Sequence, residues 1–165
     1  MKPRDIDSGM TAIKLRSMVR YEPETGKFYW LKETKNRKKL GDEAGSLMVT
    51  GYVKIGIGRD YKAHRLAWLW MTGEWPKERI DHKNRNKSDN RWDNLREASN
   101  TENKANQVAG SNNILAVKGV RLTKCGKYMV RIGKNGRSLY LGNFPTIEEA
   151  QAVYLAKAKE LFGEF

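Results

Sequence analysis

The chain has 165 residues, which is enough to bury a hydrophobic core, either as one domain or as two small ones. Its 32 Lys and Arg against 19 Asp and Glu give a formal charge of +13, which favours a polyanionic partner such as nucleic acid. No apolar run reaches membrane-spanning length and the N-terminus lacks the apolar stretch of a signal peptide, so we expect a cytoplasmic protein rather than a membrane or secreted one.

Cys125 is the only cysteine of the chain. A single thiol excludes an internal disulfide and a zinc site made of several cysteines. Packing and hydrogen bonds must therefore hold the fold together, and we expect no structural zinc.

The N-terminal part alternates helical and strand-like patterns. Thr11 can cap a short helix, and residues 27–31 (KFYWL) have the composition of a strand. The lysine-rich segment 32–39 follows as a predicted surface loop. Its lysines either form a solvated face or contact a phosphate.

A strand and an apolar helix are predicted next. Residues 52–57 (YVKIGI) alternate between apolar and other side chains, as a half-buried strand does. Residues 64–72 (HRLAWLWMT) form an apolar stretch that predicts a core helix closed by Gly73. His64 and Arg65 open this helix. For this pair, capping or packing is the first interpretation and chemistry the second.

The central stretch, residues 80–103 (IDHKNRNKSDNRWDNLREASNTEN), carries most of the functional argument. Asp81 and His82 stand together, Asn94 follows twelve positions after His82, and Asn103 nine positions later. A His beside a carboxylate can take a proton from water while the carboxylate holds a cation, provided that a second oxygen ligand is available. Asn103 could be that ligand.

The same stretch has clear local structural signals. Residues 83–94 are crowded with Asn, Asp and Lys, which favours an ordered polar loop. Residues 95–98 then form a plausible short strand, and Ser99 to Glu102 is a capping box that starts a helix. The predicted unit is strand, loop, strand and helix.

A second pattern begins after an uncharged stretch at residues 105–117, which we interpret as a linker. Residues 117–144 hold seven Lys or Arg and no acid, and their pattern shifts to alternation. Asn135-Gly136 is a strong hairpin signal, and Thr146 with Glu149 opens a final helix. Three short strands are predicted, around residues 119–122, 127–132 and 138–141.

The alternation divides the side chains of this predicted sheet between two faces. The buried face, covered by the final helix, would contain Val120, Leu122, Tyr128, Val130, Ile132, Leu139 and Leu141. The exposed face would contain Arg121, Thr123, Arg131 and Tyr140. An exposed basic face with no balancing acid favours DNA binding over a merely soluble surface.

Residues 80–103 resemble the active-site motif of HNH nucleases, the ββα-metal group, and most of all its phage subgroup with Asn in the last position. The resemblance implies that His82 is the general base, that Asp81 and Asn103 bind one divalent metal ion per active site, and that Asn94 ties the loop together. Hard oxygen ligands suit Mg²⁺ or Mn²⁺. The chain departs from those members that hold a structural zinc.

The C-terminal part resembles the APETALA-type domain of plant ethylene-response factors, which reads the DNA major groove with the exposed face of a three-stranded sheet. The resemblance rests on residues 119–121 (GVR), 126–128 (GKY), 140–144 (YLGNF) and 148–154 (EEAQAVY). It implies that Arg121, Thr123, Arg131 and Tyr140 contact double-stranded DNA. Cys125 and Tyr140 stand where plant members usually have Trp, and Thr123 and Gly133 where they have Arg, so plant sequence preferences do not carry over. Arg65, whose pairing with His64 recurs in the phage subgroup, is a further candidate for DNA binding.

We therefore expect an α+β chain made of an HNH nuclease domain at residues 1–108 with its motif at 80–106, a linker at 109–116 and a DNA-binding domain at 117–165. The expected activity is that of a metal-dependent DNA endonuclease, monomeric and phage-encoded, for homing or for phage genome processing. One alternative is a non-catalytic DNA-binding or regulatory protein with a decayed nuclease domain. Another is an RNA-binding accessory factor.

Overall fold

The structure, a computed structural model, describes residues 9–33, 39–107 and 115–163. The chain divides into two compact units, Met1–Ala98 and Ser99–Phe165. Both combine short helices with small antiparallel sheets, which confirms the predicted α+β class. The predicted linker at 109–116 lies largely outside the described residues, so the predicted domain bounds stay a prediction. No helix in the described part of the chain is both long and apolar enough to cross a membrane.

The first unit begins with a helix and a three-stranded sheet. Thr11 caps the helix, because its Oγ1 accepts a hydrogen bond of 3.2 Å from the Lys14 N–H. A turn ending at Gly26 joins the first two strands of the sheet. Residues 34–38, which make up most of the predicted lysine-rich loop, lie outside the described ranges. In chain order the elements are α1 (Ala12–Arg16), β1 (Val19–Glu22), β2 (Lys27–Trp30) and β3 (Glu43–Ala44).

A second antiparallel sheet leads directly into the core helix. Its strands are β4 (Ser46–Leu47), β5 (Val53–Ile57) and β6 (Arg59–Lys62), and the helix α2 (Ala63–Thr72) follows. Gly73 ends α2 in the left-handed conformation at φ 85°, as predicted. Leu66 and Leu69 of α2 are fully buried against a core that includes Ile55 and Phe28. This core fixes the start of α2 beside the predicted catalytic motif.

The motif itself is built on two paired strands. The strands are β7 (Arg79–His82) and β8 (Leu95–Ala98), which confirms the strand predicted at 95–98. They run antiparallel, with Asp81 opposite Arg96 and His82 opposite Leu95. The intervening polar loop ends in a short 3-10 turn at Trp92–Asn94.

The described residues of the second unit form two helices and a three-stranded antiparallel sheet. The capping box that starts its first helix is reciprocal: the Ser99 N–H donates to Glu102 Oε2 (2.8 Å), and the Glu102 N–H donates to Ser99 Oγ (3.3 Å). Thr146 likewise caps the last helix through the Glu149 N–H (3.2 Å). The elements are α3 (Asn100–Asn106), β9 (Val120–Leu122), β10 (Tyr128–Lys134), β11 (Arg137–Phe144) and α4 (Ile147–Phe162), with β10 in the centre of the sheet.

Two residues predicted for the buried face of this sheet are exposed. Leu122 is 49% exposed and Leu139 is 47% exposed. The helix α4 packs mainly on the central strand, where it buries Val130 and Ile132, so these two edge-strand residues remain uncovered. The pairing also shifts by one residue between β10 and β11, which leaves Leu141 as an extra, half-buried residue.

Candidate active site

The pairing of β7 with β8 positions Asp81 and His82, whose side chains are both buried. Because neighbouring residues of a strand point to opposite faces, the carboxylate and the imidazole have different surroundings. Asp81 lies opposite Arg96, and its Oδ2 accepts hydrogen bonds from Arg96 Nε (3.1 Å) and Nη2 (3.0 Å). The sequence interpretation missed Arg96. The hairpin register, which pairs residues 79–82 with 95–98, is the signal that would have revealed it.

Asn94 joins the two ends of the polar loop. Its Oδ1 accepts a hydrogen bond from the Asn84 N–H (3.0 Å), and its Nδ2 donates to the Asp89 carbonyl oxygen (2.7 Å). The Asn94 carbonyl oxygen also accepts from the Lys83 N–H (2.9 Å). Since Asn94 is buried, these bonds satisfy polar groups that solvent cannot reach.

Short-range side-chain bonds order the rest of the loop. Asn84 Nδ2 donates to Asp89 Oδ2 (2.7 Å), and its Oδ1 accepts from the Asn86 N–H (2.9 Å). The Asp89 carboxylate also accepts from Arg91 Nε (2.9 Å) and Nη2 (2.6 Å). These bonds from Arg91, with that from Asn84, lower the pKa of Asp89 to about 2. The Asn and Asp side chains of the loop therefore order it by hydrogen bonds to one another and to its backbone.

The hairpin of β1 and β2 supports the loop from outside the motif. Tyr21 Oη donates to the Asn90 carbonyl oxygen (2.6 Å), and the Trp92 N–H donates to the Pro23 carbonyl oxygen (2.8 Å). A Cβ on Gly26 would lie 2.4 Å from the backbone nitrogen of Arg91, so only glycine allows the hairpin and the loop to come this close. Burial raises the pKa of Tyr21 above its ordinary value, which keeps its hydroxyl a donor.

His82 faces this supported loop. Its Nε2 lies 3.4 Å from Oδ1 of the buried Asn90. When Nε2 carries the proton and donates to Asn90, Nδ1 is the basic nitrogen of the ring. Burial lowers the pKa of His82 below 6.5, and the bond to Asn90 opposes this shift in part. The neutral imidazole that a general base requires is therefore favoured at neutral pH.

His64 packs against His82. The two ring centroids are 5.0 Å apart and the rings meet edge to face. Burial, followed by the neighbouring His82, Lys62 and Arg65, lowers the pKa of His64 well below 6.5. The N-cap of α2 is Lys62, so His64 does not cap the helix and the packing interpretation describes its place in the structure.

The Tyr52 ring lies beside both histidines. The sequence interpretation missed it. Its ring centroid lies 5.2 Å from that of His64 and 6.0 Å from that of His82. Tyr52 precedes β5 and is thirty positions from His82 in sequence, so no local pattern links the two.

The remaining candidate residues occupy different places. Asn103 is half-buried in α3 of the second unit, whereas Asp81 belongs to the first, and their pairing as metal ligands stays a prediction. Arg65 is only 9% exposed, with its guanidinium carbon 5.5 Å from the Trp75 ring centroid, and a DNA contact by it likewise stays a prediction. Thr123 uses its hydroxyl within the β9–β10 turn, donating to the Lys127 carbonyl oxygen (2.9 Å).

The other predicted DNA contacts lie on one face of the sheet in the second unit. Arg131 is the register partner of Tyr140, and Arg121 is the partner of Met129, which is two residues before Arg131 on the same strand. Residues two apart on a strand share a face. Arg121, Arg131 and Tyr140 are all exposed there.

The predicted metal site has two protein ligands, Asp81 and Asn103. No group of three or more His, Cys, Asp or Glu in residues 9–33, 39–107 and 115–163 could hold a metal ion. The predicted pair, the Asp81 carboxylate and the Asn103 amide oxygen, consists of hard donors that fit Mg²⁺ or Mn²⁺ chemically.

The candidate site thus combines a buried histidine next to a carboxylate in sequence, a loop closed by an asparagine, and a following strand and helix. Residues 61–105 match the HNH endonuclease family model. This range includes Arg65, Asp81, His82, Asn94 and Asn103. The match supports an HNH endonuclease domain in this part of the chain.

A relative extends the similarity beyond this domain. An uncharacterized HNH endonuclease of Acanthamoeba polyphaga mimivirus is 36% identical over 119 residues, which are 70% of this chain and 61% of the relative. The chain therefore spans less than two thirds of that protein. No solved structure matches the chain. The resemblance of the C-terminal part to APETALA-type domains stays a prediction.

Proposed function

We propose that the chain is a metal-dependent endonuclease that hydrolyses phosphodiester bonds of double-stranded DNA, with one metal ion per active site and His82 as the general base. The observation that carries this proposal is the buried imidazole of His82, held at Asn90 and favoured in its neutral form, next to the Asp81 carboxylate on β7. The match of residues 61–105 to HNH endonucleases supports it.

Phosphodiester hydrolysis requires an activated water, stabilisation of the charge on phosphorus and help for the departing 3′ oxygen. His82 takes the proton of the attacking water on Nδ1, while Nε2 stays hydrogen-bonded to Asn90. Asn94 acts indirectly: it closes the loop that carries Asn90, and Asn90 contacts His82. The products carry a 5′ phosphate and a 3′ hydroxyl.

The residues that would hold the metal ion are Asp81 and Asn103. When bound, a divalent ion of this kind supplies positive charge for the phosphate and for the leaving oxygen. Arg96 holds Oδ2 of the Asp81 carboxylate through two hydrogen bonds, so a metal ion at Asp81 would share this carboxylate with Arg96 or displace it. Mg²⁺ and Mn²⁺ are the ions that such oxygen ligands favour.

The second unit would then bind the DNA that the first unit cuts. The exposed positions of Arg121, Arg131 and Tyr140 on one face of a sheet support this role, as does the absence of any acid in residues 117–144. Thr123 and Arg65 are the weaker candidates, because one is bonded within a turn and the other is buried on Trp75. We propose a monomer acting on cytoplasmic DNA, with homing or phage genome processing as its role.

The test is cleavage of supercoiled plasmid by the full chain with Mg²⁺, with Mn²⁺ and with EDTA, beside the His82→Ala variant. A general base acts in the transition state whereas phosphate contacts set affinity, so the variant should lose cleavage and keep DNA binding in a gel-shift assay. A variant that cuts at nearly the wild-type rate would remove His82 from this role. A wild-type protein that binds DNA but cuts with neither metal would favour a non-catalytic DNA-binding protein.

A further inference from the structure

Two lysines lie over the ring of Tyr52. Lys62 Nζ is 4.4 Å and Lys87 Nζ is 5.1 Å from the Tyr52 ring centroid. The lysines come from separate elements, since Lys62 ends β6 and Lys87 belongs to the polar loop. The fold therefore brings two positive charges to a single half-buried ring, 6.0 Å from the imidazole ring of His82.

Backbone contacts hold Lys87 in this position. Its Nζ donates a hydrogen bond to the Thr50 carbonyl oxygen (3.3 Å). Its aliphatic part runs beside Gly51, where an added Cβ would lie 3.7 Å from the Lys87 Cδ. The ammonium is thus directed by the turn before β5 as well as by the Tyr52 ring.

Neither ammonium forms an ion pair with a carboxylate in the part of the chain that the structure describes. Other lysines of the first unit do form them: Lys27 with Glu43 at 2.7 Å and Lys54 with Asp60 at 2.6 Å. Lys62 and Lys87 are both exposed, so a ligand can reach them. Two like charges held beside one ring, neither of them in an ion pair within the described residues, favour an anion.

The start of α2 adds to this preference. Lys62 is the N-cap of this ten-residue helix, and its side chain makes no capping hydrogen bond there. The backbone N–H groups at a helix N-terminus and the helix dipole both favour anions. The lysine pair and the helix start therefore attract the same kind of ligand.

We propose that Lys62 and Lys87, positioned by Tyr52, form a binding site for a backbone phosphate of the nucleic acid substrate, beside the phosphodiester bond on which His82 acts. This site rests on the proposed nuclease function, because it places the substrate strand against the His82 ring. Tyr52 positions the two ammonium groups, and the two lysines bind the phosphate. The site recognises phosphate and not the bases, so it contributes affinity without sequence preference.

The test is the affinity of the full chain for a double-stranded oligonucleotide, measured in EDTA over a series of salt concentrations. The variants are Lys62→Gln, Lys87→Gln and the pair together. Each lost phosphate contact should lower the slope of log affinity against log salt by about 0.9 and weaken binding roughly five- to tenfold near 0.1 M salt. The Lys→Arg variants should retain the wild-type slope.

Lys27→Gln is the matched control, because it removes the same charge from an exposed lysine that Glu43 already neutralises on β2. It should leave the slope unchanged. If Lys62→Gln and Lys87→Gln behave like this control, the phosphate site is wrong, whatever the cleavage result. If they lower the slope while the wild-type protein cuts no DNA with Mg²⁺ or Mn²⁺, the phosphate site stands and the proposed nuclease activity fails.

Discussion

Arg96 faces Asp81 across β7 and β8, with its Nη2 3.0 Å and its Nε 3.1 Å from the same carboxylate oxygen. The Asp81 side chain is 9% exposed and that of Arg96 is 15% exposed, so water screens this pair poorly. The carboxylate that we propose as a metal ligand thus already has a cationic partner. A metal ion and Arg96 must share or compete for Asp81.

Arg96→Met should destabilise the metal-free protein and increase its response to metal. A buried carboxylate that loses a cationic hydrogen-bond partner costs about 3 kcal/mol in the free energy of unfolding. Metal binding would supply the missing charge, so Mn²⁺ should raise the melting temperature of the variant more than that of the wild-type protein. Thermal melts with EDTA and with a Mn²⁺ titration measure both effects.

Arg20→Met is the control for this experiment, because Arg20 forms an exposed ion pair with Glu22 at 2.7 Å. An exposed pair contributes little, so both the stability and the metal response should stay close to those of the wild-type protein. Equal Mn²⁺ shifts in wild type and Arg96→Met would show that Arg96 does not compete with a metal ion at Asp81.

Asn94→Ala should loosen the loop that carries Asn90. The substitution leaves the Asn84 N–H and the Asp89 carbonyl without their partner, at about 1 to 3 kcal/mol for each group that stays buried. Cleavage should fall with stability, since the loop positions His82. Urea unfolding and plasmid cleavage measure the two losses. Asn86→Ala removes two hydrogen bonds from the exposed Ser88 in the same loop (3.1 and 2.7 Å) and should have a smaller effect, because water can replace them. Similar losses for both variants would contradict this role of Asn94.

His64 should make stability depend on pH below about 6.5. Its folded-state pKa is lowered by burial and by the nearby His82, Lys62 and Arg65. Well above pH 6.5 His64 is neutral in both the folded and the unfolded chain, so its titration does not change the free energy of unfolding. As the pH falls toward the lowered folded-state pKa, the unfolded chain binds a proton that the folded chain does not, and stability falls by up to about 1.4 kcal/mol per pH unit.

His64→Gln tests this expectation because it removes the titrating group. Urea unfolding of both proteins at several values from pH 5 to 8 gives the two slopes. The variant should lose stability less steeply below pH 6.5 than the wild-type protein does. Some pH dependence should remain in it, because the pKa of His82 is lowered as well. Identical slopes would contradict the assignment to His64.

Arg121→Gln and Arg131→Gln should weaken DNA binding in one of two distinguishable ways. An arginine that reads a base contributes roughly 1 to 3 kcal/mol and its loss relaxes specificity at one position, whereas a phosphate contact lowers the salt slope by about one for all sequences. Affinity against salt on several sequences separates these outcomes. Lys157→Gln on α4, paired with Glu160 at 2.6 Å, should change neither. If both arginine variants bind like wild type, the sheet face is not a DNA-binding surface.

Local signals predicted the parts of the site that depend on neighbours in sequence. The strand at 95–98, the capping box at Ser99 and the closure of α2 at Gly73 were all predicted, because each is specified within a few residues. Arg96 and Tyr52 were missed, since their places depend on strand register and on the approach of distant segments. The exposure of Leu122 and Leu139 was missed for the same reason: it depends on which strands α4 covers.

The contacts between the N-terminal hairpin and the loop of the candidate active site also matter for protein engineering. Tyr21, Pro23 and Gly26 all precede residues 61–105, yet each contacts the loop around Asn90. A chimeric protein that borrowed only residues 61–105 would carry the candidate site residues without the hairpin contacts that support their loop. A transplanted domain should therefore begin before α1. A bulkier residue at Gly26 would displace the loop around Asn90 from a position outside the motif.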